Sequence, residues 1–172
     1  HKRRVRGQPE AVSAFEDAAL RLDSMARIHR RLYDPTNINL AIDIYLRELL
    51  GDVFQSAGSK NIAVSVSSSV DQLDVNRLIT LSLLVSELAT NALKHAFNGR
   101  GGQFSIQLER QGQDYVLTAR DDGEGFPEGF DPATSDRLGF RILTSFARTL
   151  DGTLSFHSDH GAVTRLTFPA AD

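Results

Sequence analysis

The chain has 172 residues, 41% hydrophobic and 24% charged, which suits one medium globular domain or a domain with a helical appendage and argues against a disordered chain. A formal net charge of −3 argues against a broad nucleic-acid surface, although the first six residues, HKRRVR, are locally basic. The sequence has no cysteine, so disulfides and thiolate metal sites are excluded; no apolar run is long enough to span a bilayer, and no signal-peptide pattern leads the chain.

The numbering opens at His1 in mid-pattern, so the sequence reads as a fragment of a longer protein. From about Glu10 to Tyr33 a helix is predicted. Val12, Phe15, Ala19, Leu22, Ala26, His29 and Tyr33 recur three and four residues apart, a heptad seam. Asp17, Arg21 and Arg27 lie off that seam. His29, on it, is expected to be a packed, hydrogen-bonded histidine. Pro35 ends the helix, and a second runs from about Ile38 to Phe54 with Asn37 as its cap. Its stripe is Ile38, Ile42, Tyr45, Leu49 and Val53.

Asn61–Ser69 alternates as a strand, and Asp74 can cap a long helix that runs to Phe97. Leu84, Leu88, Ala92 and Ala96 form its apolar side, widened by Leu81, Val85, Ala89 and Leu93. A helix this apolar should be buried, yet it carries Glu87, Asn91, Lys94 and His95 along one strip. A carboxylate and an amide oxygen suit Mg²⁺, and an ammonium suits phosphate. The alternative is a solvated helix edge with a Glu87–Asn91–Lys94 network. Strands follow around Phe104–Leu108 and over Tyr115–Arg120, then Asp121-Asp122-Gly123-Glu124-Gly125. A helix over Leu138–Leu150 has Ile142, Leu143, Phe146 and Leu150 as its apolar face, and a hairpin turning at Asp159-His160-Gly161 closes the chain. The expected body is a sheet with helices on one face, a two-layer α/β sandwich. D-x-G-x-G at a strand end lets a flat ligand approach the backbone, and Asp121 can accept a hydrogen bond from an exocyclic amine such as adenine N6.

The order of these motifs resembles the ATP-binding domain of sensor histidine kinases, within the wider GHKL, or Bergerat-fold, superfamily that includes DNA gyrase, Hsp90 and MutL. An E-x-x-x-N-x-x-K-H helix is followed by D-x-G-x-G, by Leu138-Gly139-Phe140 opening a helix, and by Gly161-Ala162-Val163-Thr164. The resemblance covers about Ile38–Pro169. It implies ATP and Mg²⁺ as ligands. Asn91 would bind Mg²⁺ directly, Glu87 would act through a metal-bound water, and Lys94 and His95 would sit near the phosphates. Asp121 would read adenine, with Gly123 and Gly125 in the first glycine box and Gly139 in the second. Thr164 would supply an adenine-side hydroxyl. Phe126–Arg137 would be a short lid, expected to be the least ordered internal segment without nucleotide. Arg137 stands where many relatives have glycine; its charge would pair with phosphate or stiffen the lid hinge.

ALRLDSMARIHRRLYDP is similar to the second dimerisation helix of the subfamily with an H-R-x-K-N-N-L phosphoacceptor motif. That motif is absent, since His1-Lys2-Arg3-Arg4 lacks N-N-L. The resemblance therefore implies residues 1–36 as a partial dimerisation and phosphotransfer region and 37–172 as the catalytic domain. The whole would be a cytoplasmic kinase, with tethering to a membrane by a preceding region left open. It would form a homodimer through the helical hairpin and pass phosphoryl groups to a response-regulator receiver domain. The alternatives are an anti-sigma-factor serine kinase of the same fold and a non-catalytic phosphotransfer or dimerisation module.

Overall fold

Period-two alternation builds the sheet. Its strands are β1 (Ile62–Ser68), β2 (Gly102–Gln111), β3 (Asp114–Asp121), β4 (Thr153–Ser158) and β5 (Ala162–Pro169), in the order β1-β2-β3-β5-β4. The computed structural model describes residues 8–34, 40–59 and 61–170. The basic first six residues, the expected cap Asn37, the Ile38 helix start and the division between residues 36 and 37 lie outside them. β1 and β2 run parallel, and the other pairs are antiparallel. The β2–β3 hairpin turns through Gly112-Gln113, with Gly112 at φ 65, a left-handed position that glycine adopts without strain. Phe104, Ile106, Leu108, Leu117, Ala119, Leu166 and Phe168 are buried in the core. Gln107, Arg120 and Arg165, on the opposite pleat, are exposed.

Helices α1 (Gln8–Leu32), α2 (Ile42–Ser56), α3 (Val75–Asn91) and α4 (Leu138–Thr149) complete the described elements, with a short 3-10 turn at Pro132–Thr134. α2 begins at Ile42 and buries Tyr45, Leu46, Leu49, Leu50, Val53 and Phe54, the expected stripe widened by Leu46, Leu50 and Phe54. In α3 the Asp74 side chain accepts a hydrogen bond from the Arg77 N–H at 3.0 Å, a cap of about 1 kcal/mol. The Arg77 guanidinium lies 5.2 Å from the Phe168 ring centre and donates to the Pro169 carbonyl, tying the start of α3 to the end of β5.

The long helix does not stay α-helical to Phe97. After Asn91 it widens into a π turn over Ala92–Ala96, closed by the Phe97 N–H on the Ala92 carbonyl at 3.1 Å. Asn98 and Gly99, both at positive φ, then end it. In α4 the buried side is Phe140, Leu143, Ala147 and Leu150 rather than the expected Ile142-Leu143-Phe146-Leu150 set. Ile142 and Phe146 instead line a groove that α4 shares with α1 and α3.

α1 docks on the domain by the side opposite to its heptad seam. Ile28 is 2% exposed, and Arg31 pairs with Glu48 and Asp52 of α2. Asp17 and Arg21 pair with Lys94 and Glu87, so α1 and the long helix run antiparallel. The seam itself faces outward, with Phe15 77% and Leu22 67% exposed, and Val12 and Tyr33 exposed beside them. His29 is exposed with its ring 4.5 Å from Tyr33, which corrects the packed histidine expected there. Among the described residues the seam carries no partner that buries that imidazole.

Candidate functional site

The polar strip of α3 and its π turn divides between two neighbours. Asn91 and His95 line a cavity of about 240 Å³ between this helix, β3 and the loop before α4. Glu87 and Lys94 are not in its wall; they face α1. Four-residue spacing keeps 87, 91 and 95 nearly in line, but Glu87 leans to the side where Arg21 waits. Glu87 is 5% exposed, so its charge needs a partner, and Arg21 supplies two hydrogen bonds. Those bonds hold the Arg21 guanidinium above its ordinary pKa against the opposing effect of burial.

Asp121 closes β3 in the cavity wall. Its Oδ1 accepts from the backbone N–H groups of Gly123 and Ala162, each at 3.0 Å. Oδ2 has no partner among the described residues. Thr164, buried on β5 beside Ala119, lines the same wall. Close backbone approach explains the glycines. A Cβ on Gly123 would fall 2.6 Å from the Ala96 Cβ, and one on Gly139 would fall 3.0 Å from Glu87 Oε1 and 3.1 Å from Asn91 Oδ1. The start of α4 therefore rests directly on the polar strip. Gly125, at φ 78, turns the loop into the cavity wall. Gly161 opens the last of the motifs quoted from the sequence, which gave it no role of its own. A Cβ there would lie 1.9 Å from the Asp121 carbonyl oxygen, so β5 can reach beneath Asp121 only with glycine.

The lid segment 126–137 is anchored by rings. Phe126, Phe130, Phe140 and Phe156 pack at centroid distances from 5.5 Å to 6.5 Å, edge-on or tilted except for the stacked Phe126–Phe130 pair. The Phe126 N–H also donates to Ser158 Oγ at 2.9 Å. Arg137 stands at the N-cap of α4 with no side-chain cap bond, its guanidinium 5.5 Å from the Phe130 ring centre. Its charge also acts on His95. Burial first, then Arg137 and Lys94, hold the His95 imidazole below its ordinary pKa, so it is neutral at pH 7. The cavity wall thus combines the Phe126, Phe130 and Phe140 rings with a carboxylate that keeps a free oxygen, an amide, an imidazole and a guanidinium. Among the described residues no three histidines or carboxylates gather as a metal cluster.

Residues 76–172 match the family model described as histidine kinase-, DNA gyrase B-, and HSP90-like ATPase, and residues 1–57 match one described as histidine kinase. The sensor histidine kinase PdtaS of Mycolicibacterium smegmatis is 31% identical over 155 residues, covering 86% of this chain and 30% of that protein. An anti-sigma F factor of Clostridium kluyveri is 28% identical over 100 residues, 51% of this chain and 70% of its own. The solved histidine kinase domain of the Erythrobacter litoralis blue-light activated histidine kinase superposes with a TM-score of 0.74 at 25% identity, covering 87% of this chain and 74% of that one. The chain spans only about 30% of the length of the first of these relatives.

Proposed function

Because the chain belongs to the histidine kinase-, DNA gyrase B-, and HSP90-like ATPase family, we propose that its cavity binds Mg²⁺·ATP as the catalytic region of a two-component histidine kinase. The observation that carries this is Asp121. Two backbone N–H groups fix Oδ1 and leave Oδ2 to accept from the adenine amine. Thr164 adds a hydroxyl at the same end, and Gly123 and Gly125 let the base lie against backbone. Phe126 and Phe140 exclude water from its faces.

At the phosphate end, His95 and Arg137 offer a ring nitrogen and a guanidinium, and the N–H groups at the start of α4, around Gly139, offer donors. Lys94 would reach the phosphates once free of Asp17. The Asn91 amide oxygen would hold Mg²⁺, with Glu87 acting on a metal-bound water. The metal would neutralise developing phosphate charge. These residues position and stabilise; they form no covalent bond to the phosphoryl group. The acceptor would be a histidine in an H-R-x-K-N-N-L context, and an aspartate on a response-regulator receiver domain would take the phosphoryl next. The open seam of α1, from Val12 to Tyr33, suits pairing with a second copy in a helical bundle.

The second reading, an anti-sigma-factor serine kinase, draws on the Clostridium relative. The match of residues 1–57 to a histidine kinase model, and the outward seam, favour the first reading. Calorimetry with ADP and ATP, with and without Mg²⁺, tests the site: binding should need Mg²⁺ and weaken in Asn91→Ala. Incubation of the whole protein with γ-labelled ATP tests the reaction. Acid-labile label on histidine supports this reading. Acid-stable label on a serine of a separate partner would replace it with the second, and absence of nucleotide binding would overturn both.

A further inference from the structure

The turn between β4 and β5 touches the cavity wall at two points. Ser158 and Ala162 face each other across that turn as register partners. The Ala162 N–H donates to Asp121 Oδ1 at 3.0 Å. Ser158 Oγ accepts from the Phe126 N–H at 2.9 Å. The first bond holds the carboxylate proposed to read the base. The second reaches the first residue of the lid segment.

The loop from Gly123 to Phe126 is thereby pinned at both ends by side-chain acceptors. Asp121 takes the Gly123 N–H, and Ser158 takes the Phe126 N–H. Gly125, between them, rests on the turn: a Cβ there would fall 2.8 Å from Ser158 Oγ and 3.2 Å from the Gly161 carbonyl oxygen. The two acceptors stand on β3 and β4, with β5 between those strands. The turn is braced in its own right. The Asp159 N–H donates to the Gly161 carbonyl at 2.9 Å, and Asp159 Oδ2 accepts from Arg120 at 3.3 Å.

Ser158 is exposed, so an alanine there costs the core nothing. Its hydroxyl is felt through Phe126 and Gly125. The Phe126 ring lines the cavity and meets the Phe130, Phe140 and Phe156 rings. Ring contacts tolerate sliding, whereas a hydrogen bond fixes the backbone from which the ring hangs.

We propose that Ser158 is a positioning residue for the nucleotide. Its hydroxyl fixes the backbone of Phe126 at the root of the lid segment, and so sets how long the nucleotide stays bound. The inference rests on the nucleotide reading given above and assigns a part to a residue outside the matched motifs. Base choice stays with Asp121, and residence time depends on Ser158. Without the bond the Phe126 N–H turns to water, and the lid root exchanges between this arrangement and a looser one.

The test uses the intact protein and its Ser158→Ala and Ser158→Thr variants. Dissociation of a fluorescent ADP labelled on the ribose is followed by stopped flow after mixing with excess ADP. Affinities for ADP and IDP are measured by calorimetry. Loss of this one hydrogen bond should speed dissociation about three- to tenfold in Ser158→Ala. Amide exchange across residues 126–137 should quicken with it. The ratio of ADP to IDP affinity should stay at the parent value, because Asp121 keeps both of its N–H donors. Ser158→Thr retains a hydroxyl and should release nucleotide at the parent rate. A rise of less than about threefold in Ser158→Ala would overturn the assignment. So would equal acceleration in the alanine and threonine variants, which would trace the effect to side-chain shape rather than to the hydroxyl. A lost preference for ADP in Ser158→Ala would also overturn it, by placing Ser158 in base recognition. A parent that binds neither ADP nor ATP overturns the nucleotide reading and this inference with it.

Discussion

Asp121→Asn is the sharpest perturbation of the proposed site, because the structure separates its two carboxylate oxygens. Oδ1 is held by the Gly123 and Ala162 N–H groups at 3.0 Å each, and an asparagine amide oxygen can keep both bonds. Fold and thermal stability should therefore change little. Oδ2 becomes an NH₂, which faces the adenine amine as donor against donor. A hydrogen bond to a charged acceptor is worth about 1.5–3 kcal/mol, so the loss is roughly 10- to 100-fold in Kd. The same NH₂ can donate to a 6-oxo purine. Calorimetry with ADP and IDP should thus show the parent preferring ADP and the variant shifting toward IDP. Asp121→Ala should behave differently, since it also strips both N–H groups of their acceptor and lowers stability. An Asp121→Asn protein that binds ADP as tightly as the parent, with the same base preference, would refute the argument.

Because His95 is held below its ordinary pKa, and bound phosphate would raise it, nucleotide binding should take up a proton and tighten as pH falls through the interval between the two. Calorimetry in buffers of different ionisation enthalpy should detect the proton, and His95→Gln should abolish it. Phe140→Ala should cost about 3–5 kcal/mol in denaturant melts and speed amide exchange across residues 126–137, because Phe140 touches Phe126, Phe130 and Phe156. In the parent without nucleotide, that segment should still exchange faster than Leu81–Asn91. Leu22→Glu, on the outward seam, should shift domain stability by no more than about 0.5 kcal/mol yet abolish a dimer in sedimentation of the intact protein.

Patterns internal to one element were legible in the sequence. The Asp74 cap, the alternation of β2 and the buried stripe of α2 rest on local spacing and short-range chemistry, and each is found in the structure. So was the polar strip on the long helix, but not its division. Asn91 and His95 go to the cavity and Glu87 and Lys94 to α1, because a π turn and a docked neighbour decide which way each points. The docking side of α1 was hidden for a related reason. Apolar periodicity marks the seam as the contact surface, whereas the contact made within this chain is built on Asp17, Arg21, Arg31 and a single deeply buried residue, Ile28. Gly161 was legible as part of a motif and a turn but not its necessity, which comes from Asp121, distant in sequence.

The sheet order has a consequence for synthesis. β5, the last of the described strands to leave a ribosome, lies inside the sheet, between β3 and β4. Until it emerges, β3 has an open edge, β4 has no neighbour, and Oδ1 of Asp121 waits for the Ala162 N–H. A nascent chain stalled before Ala162 therefore owns most of its hydrophobic core and no competent base pocket. Release of the final strand joins the two halves of the sheet and would create the proposed nucleotide affinity in one step, so ATP should stabilise only molecules whose translation has run to the end of β5.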